Sequence, residues 1–131
     1  MNDPPGATAL RVLIADDSPP VREMLTELVQ ASGHSTVVGA SETEAGTLEA
    51  IRRLKPDVVV LDLQLKTGSG TNVIRAVRAD PSIAATRLFV TSNHPSAQMR
   101  AGCVELGADE YYDKLKDLGE LVARLDGLAP A

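Results

Sequence analysis

The sequence predicts an α/β domain of the (βα)5 kind, a doubly wound parallel five-stranded sheet. Three observations lead there. Two apolar periods alternate along the chain, one strand-like and one helical. The strand-like runs are short and apolar without polar alternation, which is the pattern of strands buried on both faces by helices. Helix start and stop residues fall between them at regular spacing. Strand–helix alternation of this kind implies a parallel sheet with right-handed crossovers.

The elements follow in order. Leu10 to Ala15 (LRVLIA) reads as the first buried strand. Ser18-Pro19-Pro20 offers a cap and two prolines tolerated in a first helical turn. Val21, Met24, Leu25, Leu28 and Val29 continue at helical spacing until Gly33 stops the helix. His34 to Ala40 reads as the second strand. Ser41 and Glu44 form a capping-box pattern ahead of Leu48, Ile51 and Leu54, with Gly46 inside that helix. Pro56-Asp57 breaks the chain before Val58-Val59-Val60-Leu61, its most hydrophobic run. Residues 66–70 (KTGSG) read as a loop, and Val73, Ile74 and Val77 as a third helix ending near Asp80-Pro81. Leu88 to Val90 is the fourth strand, Ser96 to Leu106 the fourth helix with Gly107 as its stop, and Glu110 to Tyr112 a brief fifth strand. Asp117 and Glu120 form another capping box for a last helix carrying Leu118, Leu121, Val122 and Leu125 and stopped by Gly127.

Composition bounds the function. The chain has 131 residues, which fits one domain, and its 44% hydrophobic content excludes a wholly disordered protein. A net charge of −5 argues against a grip on nucleic-acid phosphates. Phe89, Tyr111 and Tyr112 are the aromatic residues, too few for a base-stacking platform. No apolar run reaches the ~18 residues of a membrane span. One cysteine, Cys103, excludes an internal disulfide and a multi-cysteine metal site and fits a reducing compartment. The opening MNDPPGATAL is not a secretory signal. The expectation is a cytoplasmic protein with a flexible leader over residues 1–8 and a tail over 129–131.

In an open parallel sheet the loops at the carboxyl ends of the strands form the site. The first strand ends in Asp16-Asp17, the third in Asp62, the fourth in Thr91-Ser92, and the fifth is followed by Lys114. Singly, each has an ordinary reading as cap, turn former, strand residue or surface lysine. Jointly they place three acids, a hydroxyl and an amine on one edge. Carboxylates so close repel, and one protonates unless a cation neutralises them. Hard oxygens at this density suit Mg²⁺, which keeps several waters and takes substrate phosphate to complete its shell. A metal so held aligns a phosphoryl group for in-line attack, for which a carboxylate can be the nucleophile. Lys114 would supply a positive charge to the phosphoryl oxygens, and Thr91 a hydroxyl donor.

This constellation resembles the receiver domain of two-component response regulators, of the chemotaxis-type single-domain kind. The resemblance covers residues 9–128 and rests on LIADDSPPVR, VVVLDLQL, VTSN and GADEYYDK in that order. It implies a flavodoxin-like sheet of order 2-1-3-4-5. It implies Asp62 as phosphoacceptor, and Mg²⁺ held by Asp16, Asp17 and Asp62 with the Gln64 backbone carbonyl. Thr91 and Lys114 would contact the phosphoryl group, Thr91 and Tyr111 would form the switch, and Gln64 and Asn93 would tune phosphoryl lifetime. The space that Thr91 leaves on moving to the phosphoryl group could admit the Tyr111 ring. The donor implied is a sensor histidine kinase or histidine phosphotransfer protein. The readout would be the face of the fourth and fifth strands and helices, with Gln98, Met99, Arg100, Tyr112 and Lys116 as surface candidates. No nucleic acid, membrane or output domain is expected, and no enzyme activity beyond the domain's own phosphorylation and dephosphorylation. The family usually has proline after the lysine where this chain has Leu115. A cis bond there would cost ~2.5–4 kcal/mol, so a trans bond or a rearranged loop is expected.

Two other classes compete. One is an adaptor of the same fold that binds partners without phosphorylation, favoured by Leu115 alone. The other is an aspartyl-phosphate phosphohydrolase, which would put a D-x-D pair after the first strand; here Asp16-Asp17 stand adjacent. A nucleotide site lacks both GxxxxGK[ST] and a full GxGxxG. His34 and His94 read as surface residues, and Cys103 as a small packing residue.

Overall fold

The computed structural model describes residues 9–93 and 96–129. The expected leader at 1–8, His94, and residues 130–131 of the expected tail lie outside the described residues. Ten elements alternate: β1 (Leu10–Ala15), α1 (Pro19–Gln30), β2 (Ser35–Ser41), α2 (Glu44–Leu54), β3 (Val58–Asp62), α3 (Gly70–Ala79), β4 (Arg87–Ser92), α4 (Ala97–Leu106), β5 (Glu110–Asp113) and α5 (Leu118–Leu128). The five strands form one sheet in the order β2-β1-β3-β4-β5, with every pair parallel. This is the doubly wound, flavodoxin-like arrangement expected.

Two cores lie on opposite faces of the sheet because successive strand residues point to opposite sides. Val12, Ile14, Val58, Val60, Phe89 and Tyr112 pack with Leu25 and Val29 of α1 and Leu121 and Leu125 of α5. Leu13, Ala15, Val59, Leu61, Leu88, Val90 and Tyr111 pack with Ile51 of α2, Val73, Ile74 and Val77 of α3 and Cys103 of α4. Every residue of β3 is buried, which is why its sequence shows no polar alternation.

Local details depart from expectation in four places. Ser41 does not cap α2; it ends β2, and its hydroxyl meets that of Thr47. Thr43 is the cap, accepting the Gly46 N–H, because the chain needs two residues to leave the sheet first. Glu44 consequently turns outward to the β3–α3 loop, accepting the Ser69 N–H and the Asn72 amide. The Asp117 carboxylate makes no cap bond to α5; it accepts the Asp113 N–H instead. Gly127 lies inside α5, which runs on to Leu128. Tyr112 is not a surface residue: its ring is buried against Phe89, centroids 5.9 Å apart, under α5. An alternating strand covered on both faces leaves neither tyrosine in solvent.

That burial sets a titration. Burial, reinforced by the charge of Glu110, pushes the Tyr112 phenol up to about 12. The folded protein therefore holds this proton more tightly than the unfolded chain, and stability falls as pH rises from about 10 through about 12. In Tyr111→Phe, Tyr112 is the remaining tyrosine, and tyrosinate absorbance should stay flat until about pH 12 or until unfolding. Ionisation at the ordinary phenol value with the fold intact would contradict the packing.

Candidate functional site

Parallel strands bring all their carboxyl ends to one edge, and register decides which side chains meet there. Ala15 pairs with Leu61, Asp62 with Thr91, Thr91 with Tyr112 and Ser92 with Asp113. Asp16 and Asp17 leave β1, Asp62 ends β3, and Lys114 follows β5 directly. The Lys114 ammonium reaches across this edge to Asp16 Oδ2 at 2.5 Å and Asp62 Oδ2 at 2.9 Å. Asp62 Oδ1 accepts the Gln64 N–H at 3.1 Å, and Asp16 Oδ1 accepts the Ser18 N–H at 2.9 Å. Asp17 is exposed, and Asp16, Asp17 and Asp62 each offer an oxygen within 4.8 Å of the others.

The electrostatics of this group are lopsided. Three carboxylates face one ammonium, and Asp16, Asp62 and Lys114 are 0%, 3% and 6% exposed. Burial raises the Asp62 pKa above the usual carboxylate range, with a smaller push from the Asp16 charge; the Lys114 and Gln64 hydrogen bonds only partly oppose this. Burial alone would depress Lys114, but its hydrogen bonds to Asp16 and Asp62 and their charges outweigh that and hold it charged. The donor set is all oxygen and carries surplus negative charge, which fits a hard divalent cation such as Mg²⁺. Thr91 adds a hydroxyl that is 1% exposed and makes no hydrogen bond, so a donor stands unused beside Asp62.

The remaining expected residues fall around this centre. Gln64 and Asn93 are exposed, two residues beyond Asp62 and Thr91. Tyr111 is already buried, with the Arg100 guanidinium 5.1 Å from its ring centroid and its hydroxyl unpaired. Its ring thus occupies the interior with no prior movement of Thr91. Gln98, Met99, Arg100 and Lys116 are exposed. Among the described residues no peptide bond is cis, so the Lys114–Leu115 bond is trans, and Lys114 nonetheless reaches both acids. Cys103 is a buried packing residue and His34 is exposed.

The sequence assigns no role to two residues near the site. Arg22 donates to the Asp16 carbonyl at 2.7 Å and lies 3.7 Å from Glu42, so it links the loops after β1 and β2, and Glu42 in turn lies 3.7 Å from Lys66 in the loop after β3. On the sequence it reads as one polar position of an amphipathic helix. Gly70 opens α3 where a Cβ would come within 2.5 Å of the Asp62 carbonyl oxygen and 2.9 Å of the Leu63 Cα. Both obstacles are backbone, so only glycine lets α3 start so close to the end of β3.

The sequence matches the response regulator receiver domain family over residues 12–126. The chain belongs to that family. The DNA-binding response regulator MtrA of Mycolicibacterium smegmatis is 38% identical over 115 residues, 88% of this chain and 48% of that protein. The chain thus spans about half the length of this curated relative. The signal receiver domain of the response regulator NarL from Mycobacterium tuberculosis superposes with a TM-score of 0.82 at 30% identity, covering 89% of this chain and 93% of that one. The response regulator domain of Thermotoga maritima CheB shares the fold, with a TM-score of 0.81 at 22% identity over 91% of this chain and 95% of that one. Receiver domains bind Mg²⁺ at an acidic pocket, and response regulators work with histidine kinases and downstream targets. The acidic cluster of this receiver domain suits that ion. No helix among the described residues is long and apolar enough to cross a membrane.

The raised Asp62 pKa makes a stability prediction. The folded domain holds that proton more tightly than the unfolded chain, so ionising Asp62 costs stability at neutral pH without metal. Asp62→Asn removes the charge and leaves an oxygen for Lys114. Metal-free Asp62→Asn should melt at a higher temperature than wild type at neutral pH, and the gap should close as pH falls toward 3.8. A lower melting temperature at neutral pH would contradict the electrostatic account.

Proposed function

We propose that this receiver domain accepts a phosphoryl group on Asp62 from a histidine kinase or histidine phosphotransfer protein. The observation that carries the proposal is the Lys114 ammonium shared between Asp16 and Asp62, with Asp17 in reach and an unpaired Thr91 hydroxyl alongside. An Asp62 carboxylate oxygen attacks phosphorus, the P–N bond to the donor imidazole breaks with its electrons leaving on nitrogen, and an acyl phosphate forms. Asp62 presents a poorly solvated carboxylate held at both oxygens, so its attack needs little reorganisation. Asp16, Asp17 and Asp62, with the Gln64 carbonyl, would hold Mg²⁺. When bound, the ion would supply positive charge to the phosphoryl oxygens.

Lys114 then exchanges an Asp62 oxygen for a phosphoryl oxygen, and the Thr91 hydroxyl turns to donate to another. The acyl phosphate carries up to about two negative charges where the carboxylate carried one, and it adds strong acceptors. Thr91 and Tyr111 carry the change toward the α4–β5–α5 face through their repacking, an equilibrium between two arrangements. With Tyr111 already buried, the change assigned to it is a partner gained by its hydroxyl and a shift of Arg100 above its ring. Gln64 and Asn93 are exposed polar residues two positions after Asp62 and Thr91, a placement that supports a part in the acyl phosphate's lifetime.

Intact-protein mass after incubation with acetyl phosphate and Mg²⁺ tests the reading. The expected result is a gain of one phosphoryl group, absent in Asp62→Asn and with a chelator. Absence of the gain in wild type would favour the phosphorylation-independent adaptor, and a gain retained by Asp62→Asn would move the acceptor elsewhere.

A further inference from the structure

Residues 113–117 close on themselves around Lys114. Asp113 Oδ1 accepts the Leu115 N–H at 2.7 Å and the Lys116 N–H at 3.3 Å. The Asp117 carboxylate accepts the Asp113 N–H at 2.9 Å, and the Asp117 N–H donates to the Asp113 carbonyl at 2.9 Å. Each end of the turn therefore holds the other. Between them the Lys114 N–H donates to the Ser92 carbonyl at 2.9 Å, and the side chain runs inward to Asp16 and Asp62. Apolar packing contributes little at the apex, since Leu115 is 80% exposed. A lysine ammonium sits on a flexible four-carbon stem, so its direction depends on how firmly its backbone is held.

We infer that Asp113 and Asp117 are positioning residues for Lys114, their carboxylates fixing the turn so that its amine meets the group on Asp62. The inference rests on the reading of Lys114 as a phosphoryl ligand given above. It assigns the Leu115 N–H a use, because a proline at 115 has no N–H to give Asp113. It also separates two effects of the same side chains. As charges, Asp113 and Asp117 act on Lys114 and on any cation nearby; as acceptors, they act on the backbone alone. Asparagine keeps the acceptor oxygen and the turn while removing the charge.

The test titrates the full chain with beryllofluoride in saturating Mg²⁺, and separately with Mg²⁺ alone, following ¹H–¹⁵N NMR spectra. Asp113→Ala should need roughly two- to tenfold more beryllofluoride for half-saturation, the worth of a lost backbone hydrogen bond. Its Mg²⁺ affinity should not fall in parallel, since the three acids of the cluster are untouched and a looser Lys114 competes less for Asp16 and Asp62, and Asp113→Asn should bind beryllofluoride as wild type does. Asp117→Ala should shift in the same direction as Asp113→Ala, and it decides the matter if Asp113→Ala gives no folded spectrum. Wild-type beryllofluoride binding by the folded alanine variant overturns the inference. So does an asparagine variant as weak as alanine, which assigns the effect to charge, or a parallel loss of Mg²⁺ affinity, which assigns it to general disruption. A wild-type protein that ignores beryllofluoride overturns the phosphoryl-site reading and this inference with it, whereas a responsive wild type with unaffected variants overturns the turn's role alone.

Discussion

A buried ammonium between two buried carboxylates is the constraint around which this domain is arranged. Isolated, each of these charges would cost several kcal/mol to bury. Together, Lys114 offsets part of the repulsion between Asp16 and Asp62, but it cannot neutralise the third acid, Asp17. The cluster can be assembled only where separate strands end together. That requires β1, β3 and β5 to run parallel, and it requires tight packing behind them. The two apolar layers supply that packing, and Gly70 lets α3 start against the end of β3 without pushing Asp62 aside.

The same edge carries unsatisfied polar groups. The Thr91 and Tyr111 hydroxyls are buried with no hydrogen-bond partner in the protein, and a buried donor left unanswered costs about 1–3 kcal/mol. Natural interiors rarely retain such groups without a use. Under the proposed phosphorylation both gain something to answer: new acceptor oxygens appear beside Thr91, and a shift there changes the surroundings of the Tyr111 ring. Surplus carboxylate charge and idle donors are the features that a bound cation and phosphoryl group would relieve.

How much of this was legible in the sequence follows from what each feature depends on. Strands such as Val58–Leu61 declared themselves because burial on both faces leaves a continuous apolar run. Asp16, Asp17, Asp62, Thr91 and Lys114 were legible because strand ends locate the site and their residue types are wrong for a core. Helix caps were less so. Ser41 and Asp117 satisfy the same spacing rule as true caps, but the sheet keeps Ser41 and the Lys114 turn takes Asp117. Tyr112 was misplaced because a short strand gives no period from which to judge whether a helix covers its second face. Arg22 and Asp113 lie within LIADDSPPVR and GADEYYDK, but they act through backbone groups of other residues, so residue type and spacing assign them no role.

The most direct test of the central claim is a crystal structure of the chain with Mg²⁺ and beryllofluoride. The account predicts beryllium bonded to an Asp62 carboxylate oxygen, Lys114 and Thr91 donating to fluorides, and the cation shared by Asp16, Asp17 and Asp62. Beryllofluoride on Asp16 or Asp17, or Lys114 still bridging Asp16 and Asp62 with the fluorides unengaged, would contradict it.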